Sequence, residues 1–308
     1  MRVIFFGTGD FAVPILERLV ENHYPIVLCV TQPDRPQGRG LQTVACPVKQ
    51  VALRLQLPLA QPEGLSCQLC EDRPSDIGIA VDYGRLIPAD LLDFPQHGIL
   101  GVHPSLLPKY RGASPIPWSI LQGEEKTGVS IFRLAQGLDA GPIASQQTIA
   151  IEPAEDAASL ARRLAILGAQ QLLGVLALFS KESVSWSPQD DSQASYAPKL
   201  TKEQGRVDWR QPAVSIERLV RAMNPWPCAY TTWKTTLLKI WKVEVASHRD
   251  APHSFYPGTV TAATAHGITV MTGKETVILK EVQPAGKRRM HAQEFLAGHP
   301  VQVGEQLV

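Results

Sequence analysis

Two side chains in this chain of 308 residues stand where they could do acid–base chemistry on a carbonyl. His103 follows the apolar run 98–102, and Pro104, Pro108 and Gly112 pin the loop that begins with it. Asp139, in Leu138-Asp139-Ala140-Gly141, sits at a second edge where an apolar run gives way to a loop. A histidine and an aspartate delivered to strand ends can hold, orient and pass a proton. Taken alone, a histidine next to proline reads as a capped loop residue, so the pairing carries the argument. Two other patterns are weaker. Gly7-x-Gly9-x-x-Ala12, with Asp34 downstream, meets the loose dinucleotide fingerprint, but we read it as a tight first turn that lets a helix pack on a sheet. Cys67 and Cys70 form a single CxxC; zinc needs two more ligands at suitable spacing, no second pair follows, and no metal is expected.

These residues need elements to position them. Residues 2–6 read as a buried strand, 7–10 as a turn, and 11–21 as a helix with Phe11, Ile15, Leu16 and Leu19 on one face. Strands are expected at 25–30, 58–60, 77–81, 99–102, 129–134 and 147–151, and helices at 48–55, 86–92, 116–121 and 157–178. Residues 32–40 form a loop dense in Pro, Gly and Arg. Strands alternating with helices imply an α/β fold with a largely parallel, Rossmann-like sheet over residues 1–187. A polar linker, 188–206, follows. Residues 207–308 change character. A helix at 216–223 stops at Asn224-Pro225-Trp226-Pro227, and short apolar runs punctuated by Gly or Pro come after it. That pattern predicts a smaller, OB-like β-barrel domain.

Charge follows the same division. Residues 1–198 carry 15 Lys+Arg against 20 Asp+Glu, a net −5, and residues 199–308 carry a net +6. A basic second half points to a polyanionic partner, against the blander reading of dispersed surface lysines. Five cysteines, an odd number in a chain of this length, do not make a disulfide framework. The apolar start is too short for a signal peptide, and no run approaches the ~18 apolar residues that span a membrane. The sequence is therefore read as a cytoplasmic protein, without a membrane, and monomeric.

The run His103-Pro104-Ser105-Leu106-Leu107-Pro108-Lys109-Tyr110-Arg111-Gly112, followed by Leu138-Asp139-Ala140-Gly141, resembles the folate-dependent formyltransferases, as does the opening stretch 7–14. The resemblance implies catalytic roles for His103 and Asp139 and a 10-formyltetrahydrofolate co-substrate. It implies a folate pocket walled by Ser105, Leu106, Leu107 and Pro108, with Tyr83, Gly84 and Leu86 beside them. The family triad is Asn-x-His plus Asp, and this chain has Gly101 at the Asn position. Glycine donates nothing to an oxyanion, which leaves three readings: a water replaces the amide, another side chain such as Asp82 supplies a donor, or the chain is catalytically weak.

The loop 32–40 with Cys46-Pro47-Val48-Lys49, the segments around Trp209, Arg221-Ala222-Met223-Asn224-Pro225-Trp226-Pro227 and Gln283-Pro284-Ala285-Gly286-Lys287 resemble the branch of that family acting on charged initiator tRNA. It implies initiator methionyl-tRNA as partner, with Arg35 and Arg39 in the loop as contacts. Charge and position single out Lys287, Arg288 and Arg289 for phosphate contact, against an ordinary solvated hairpin tip. Two other classes stay open: another formyltransferase or formyl hydrolase, for example on an amino sugar, and a catalytically weak RNA-binding relative.

Overall fold

The computed structural model describes residues 1–37, 42–246 and 255–308. β1 (Val3–Gly7) is buried along its whole length, as an unbroken apolar strand covered on both faces must be. After a single 3₁₀ turn it leads into α1 (Val13–Glu21), which has Pro14 in its first turn and buries Ile15, Leu16 and Leu19. The chain continues through β2 (Ile26–Val30), β3 (Arg35–Gln37), β4 (Gln42–Val44), α2 (Pro47–Arg54), β5 (Leu59–Ala60), β6 (Ile77–Val81), α3 (Ala89–Leu92), β7 (Ile99–His103), α4 (Pro115–Leu121), β8 (Lys126–Arg133), β9 (Ile143–Ala150) and α5 (Ala157–Phe179). Seven of these strands form one sheet in the order β5-β2-β1-β6-β7-β8-β9. The five from β5 to β7 pair in parallel; β8 and β9 extend the β7 edge in antiparallel fashion. The chain runs outward from β1 to β5, then returns to β6 on the other side of β1. That reversal opens a crevice at the carboxyl ends of β1 and β6, the place where open α/β sheets receive ligands.

Three local outcomes differ from the sequence reading. His103 is the last residue of β7 rather than the first of a loop, so sheet hydrogen bonding fixes its backbone. α3 is shorter than residues 86–92 because Pro88 forces extended backbone before it and becomes the N-cap. Residues 35–37 of the 32–40 loop form β3, which pairs antiparallel with β4 beyond the loop. The expectation that no run approaches a membrane span also meets one exception, by length and composition. α5, with 23 residues, is long and apolar enough by composition. Its Gly168 lies close against Val102 and Val129 of the sheet, and Leu164, Leu172 and Leu176 are buried.

The chain divides into two compact units: residues 1–115, 126–150 and 161–198, and residues 116–125, 151–160 and 199–308. Residues 188–198 thus belong to the first unit, although their polar composition reads as linker. In the second unit, α6 (Ala213–Ala222) precedes β10 (Ala229–Trp233), β11 (Thr236–Ala246), β12 (Val260–Thr264), β13 (Gly267–Met271), β14 (Thr276–Pro284), β15 (Met290–His291) and α7 (Ala292–Gly298). The strands pair antiparallel in the order β10-β11-β14-β13-β12. The last residues bridge the two edges: Thr232 N donates to Val308 O at 2.6 Å, and Leu307 N to Gly258 O at 2.8 Å. Inside the curled sheet lie Trp209, Ile240, Val270, Leu279 and Phe295.

Candidate active site

His103 ends β7 with its ring buried. Its Nε2 lies 2.9 Å from Tyr110 O, and because a carbonyl only accepts, Nε2 is the donor. Nδ1 then faces Asp139, 3.7 Å from Oδ2. The two residues come from distant positions in the sequence, and two loops bring them together. The 104–112 loop turns back on itself through Ser105 Oγ, which donates to Lys109 O at 2.6 Å, and Ser130 Oγ, which donates to Ser105 O at 2.7 Å. Gly112, at φ 117°, lies so close to Ala197 O that a side chain would not fit. Its N–H donates to Asp139 Oδ2 at 2.7 Å. Asp139 itself is held at φ 48°, which aspartate tolerates better than most side chains.

Sequence reasoning missed the clamp on this pair. Gln189 Nε2 donates to Asp139 O at 2.7 Å and to Gly141 O at 2.8 Å. Its Oε1 accepts from Arg111 Nη2 at 2.8 Å and Nε at 3.1 Å. Arg111 is only 4% exposed and also reaches Asp191 at 2.7 Å. One glutamine from a Ser/Pro/Gln/Asp stretch therefore ties the Asp139 loop to the loop that follows His103. Nothing local in that stretch signals the role.

Gly101 lies two residues before His103, on the same side of β7, and pairs with Phe132 of β8. The Phe132 ring and Leu134 fill the space above it: a Cβ there would come within 2.7 Å of Phe132 Cζ and 2.8 Å of Leu134 Cδ1. The same ring meets His103 edge-on, centroids 6.3 Å apart. Ser105 and Leu107 are interior, with Leu107 N donating to Ser130 Oγ at 3.1 Å and Leu107 O accepting from Gln146 Nε2 at 2.7 Å. Leu106 packs on Gly128, and Pro108 is half-buried. Tyr83 is buried, edge-on to Phe6, and its hydroxyl has no partner among the described residues. Gly84, at φ 74°, abuts Gln32, while Leu86 is 81% exposed.

Asp82 follows β6 directly. Continuing the β6–β7 register, in which Ala80 faces Gly101, places it level with His103 on the neighbouring strand. Asp82 is an exposed residue, but its carboxyl lies over Gly9, and desolvation there, with nearby Asp10, raises its pKa to about 6.

The expected tRNA contacts fare unevenly. Arg39 lies outside the described residues, and of Arg35 only the backbone, in β3, is described. In the second unit Arg288 pairs with Glu294, Arg289 pairs with Glu281 at 2.5 Å, and the Arg289 guanidinium lies 4.9 Å from the centre of the Trp241 ring. Lys287 makes no ion pair among the described residues. The five cysteines are free, and no group of three or more potential metal-binding His, Cys, Asp or Glu occurs among the described residues.

Comparison with known proteins matches residues 1–176 to the formyl transferase family and 199–300 to the formyl transferase C-terminal domain. The methionyl-tRNA formyltransferase of Roseiflexus castenholzii is 44% identical over 100% of this chain and 99% of its own. That of Bacillus subtilis is 40% identical over 99% and 97%. Among solved structures, HypX from Aquifex aeolicus in complex with tetrahydrofolic acid aligns with a TM-score of 0.69 at 19% identity, over 99% of this chain and 48% of that one. A methionyl-tRNA formyltransferase from Clostridium thermocellum aligns with a TM-score of 0.55 at 15% identity, over 80% and 94%. At these identities the structural likenesses speak for the fold alone.

Proposed function

The chain belongs to the formyl transferase family, and on that premise we propose that it transfers the formyl group of 10-formyltetrahydrofolate to the amino group of methionyl initiator tRNA. The observation that carries this reading is the likeness to relatives of that name along the whole chain, the C-terminal unit included. Tyr83, Gly84 and Leu86 follow the carboxyl end of β6 at the crevice, and exposed Leu86 offers an apolar surface to a flat heteroaromatic ring.

The chemistry asks three things of the protein. The attacking amine must lose protons, the oxyanion of the tetrahedral adduct must meet donors, and the departing folate nitrogen must gain a proton. His103 and Asp139 are the pair for proton movement: Nδ1 faces the carboxylate, and Nε2 can exchange Tyr110 O for a substrate oxygen. Gly101 contributes no donor, and Phe132 fills its place. Residues 1–187 would do the chemistry, and the 207–308 domain would hold tRNA through phosphates, in the cytoplasm and as a monomer.

The test is transfer of labelled formyl from 10-formyltetrahydrofolate to charged initiator tRNA, beside a nucleotide-linked amino sugar. Formylated tRNA supports the reading. Formyl sugar alone, or no transfer at high enzyme concentration in a single turnover, overturns it.

A further inference from the structure

The crevice where the strand order reverses commonly takes an anion, because glycines let backbone N–H groups approach a phosphate at a helix start. Here a carboxyl group is already in that place. The Asp82 carboxyl occupies the space that a Cβ on Gly9 would need, so a side chain at residue 9 would have to push the carboxyl aside. Asp82 O accepts from Thr8 N at 3.1 Å and Gly9 N at 3.4 Å, so the strand-end turn and the aspartate are built as one piece. Asp10 stands beside it and adds a second negative charge. The nearby cations are engaged elsewhere. Lys49 pairs with Asp34 at 2.5 Å and Gln61 at 2.6 Å, and Arg85 donates to Pro62 O and Glu63 O. No side chain among the described residues hydrogen-bonds to the Asp82 carboxyl. An acidic crevice repels phosphate and favours a cation or a hydrogen-bond donor. The strand that ends just before Asp82 pairs with β7, whose last residue is His103.

We propose that Asp82 receives the acceptor amine: its carboxylate binds the ammonium of the aminoacyl group in the switch-point crevice and takes one proton from it. This rests on the transferase reading above. The nitrogen lone pair so freed forms the new N–C bond to the formyl carbon, and the carbonyl π pair moves to oxygen. As the adduct collapses, that pair re-forms C=O and the bond from carbon to the folate nitrogen breaks. The departing electron pair stays on the folate nitrogen, which gains the second proton lost by the amine, passed through His103 and Asp139. Asp82 releases the first proton to solvent. The raised pKa of the carboxyl, about 6, suits a base that works near neutrality.

The experiment measures kcat/KM for charged initiator tRNA between pH 5 and 8.5, for the natural protein, Asp82→Asn, Asp82→Glu and Asp10→Asn. A base must be ionised, so activity should fall as pH drops through about 6. Asp82→Asn should lose that acid limb and at least about tenfold in kcat/KM at pH 7, with folate KM within about twofold and Asp82→Glu partly restored. Asp10→Asn removes a charge that raises the Asp82 pKa, so it should move the limb to lower pH. It keeps the test decisive should Asp82→Asn fail to fold. An Asp82→Asn profile equal to the natural one, or an Asp10→Asn limb that stays in place, overturns the proposal while leaving the transferase reading intact. No transfer by the natural protein overturns that reading and the proposal with it.

Discussion

Position 101 has room for a hydrogen atom, because the Phe132 ring and Leu134 already stand over it. Replacing Gly101 with asparagine to restore a donor therefore meets an aromatic ring before it meets a substrate. Gly101→Asn alone should be less stable by about 1–3 kcal/mol, the usual cost of overpacking, with no gain in rate. Adding Phe132→Leu should recover part of that loss and let the amide act, raising the single-turnover rate by up to about 10²-fold. Denaturant unfolding and rapid-mix formyl transfer read the two effects. Equal stability of natural and Gly101→Asn proteins would disprove the steric coupling. His103→Ala and Asp139→Asn should each lower transfer by at least about 10² with folate binding little changed. Asp82 adds a stability effect of opposite sign. Its folded pKa, about 6, lies above its ordinary 3.8, so ionisation opposes folding. The cost is absent at low pH, grows as pH rises between those values, and is complete above about 6. Asp82→Asn should raise Tm at pH 8 relative to the natural protein and not at pH 4, as expected where function is kept at the expense of stability. Residue types and spacing pointed to His103 and Asp139, and the resemblance to the family singled out the glycine at 101. Phe132 stayed hidden because cross-strand register is a long-range property that no local pattern encodes.

The C-terminal edge of β7 works as a unit with the two loops that follow it. His103 takes its backbone position from the sheet, Asp139 takes its carboxyl position from Gly112 N–H, and Gln189 locks both loops through Arg111. Gln189→Ala leaves the buried Arg111 with Asp191, itself an exposed partner, and frees two carbonyls of the Asp139 loop. We expect a loss of about 1–3 kcal/mol in stability and, on the proposed proton-relay role of His103 and Asp139, a fall in kcat of about tenfold or more with folate KM changed less, because a loosened pair would harm the transition state more than the ground state. Unchanged kcat in a folded Gln189→Ala protein would show that Gly112 alone positions Asp139. Most strands and helices were legible because their apolar periodicity is local. The 188–198 stretch was not: its polar composition describes a surface segment and cannot say whether that segment is laid against a loop or left free.

At the scale of the molecule, the charge division of the sequence coincides with the division of labour proposed for its two domains, and the net +6 of residues 199–308 is the footprint expected of a phosphate-binding surface. The structure adds that net charge is a poor guide to which cations are available. Arg288 and Arg289 already have carboxylate partners, Glu294 and Glu281. A tRNA phosphate can use these arginines only by displacing those carboxylates, whereas Lys287 has no such competitor among the described residues. Each cation that newly neutralises a phosphate adds roughly 0.9 to the steepness of log affinity against log salt. Replacing Lys287, Arg288 and Arg289 together by alanine should therefore flatten the slope by about one rather than three. Replacing Glu281 and Glu294 by glutamine frees both arginines, so tRNA should bind more tightly at low salt and the slope should steepen by up to about two. Filter binding across a salt series, with the natural and double-glutamine proteins side by side, decides the matter. Identical slopes would mean that the 287–289 turn lies outside the tRNA interface and that the basic charge of this unit acts through other strands of its sheet.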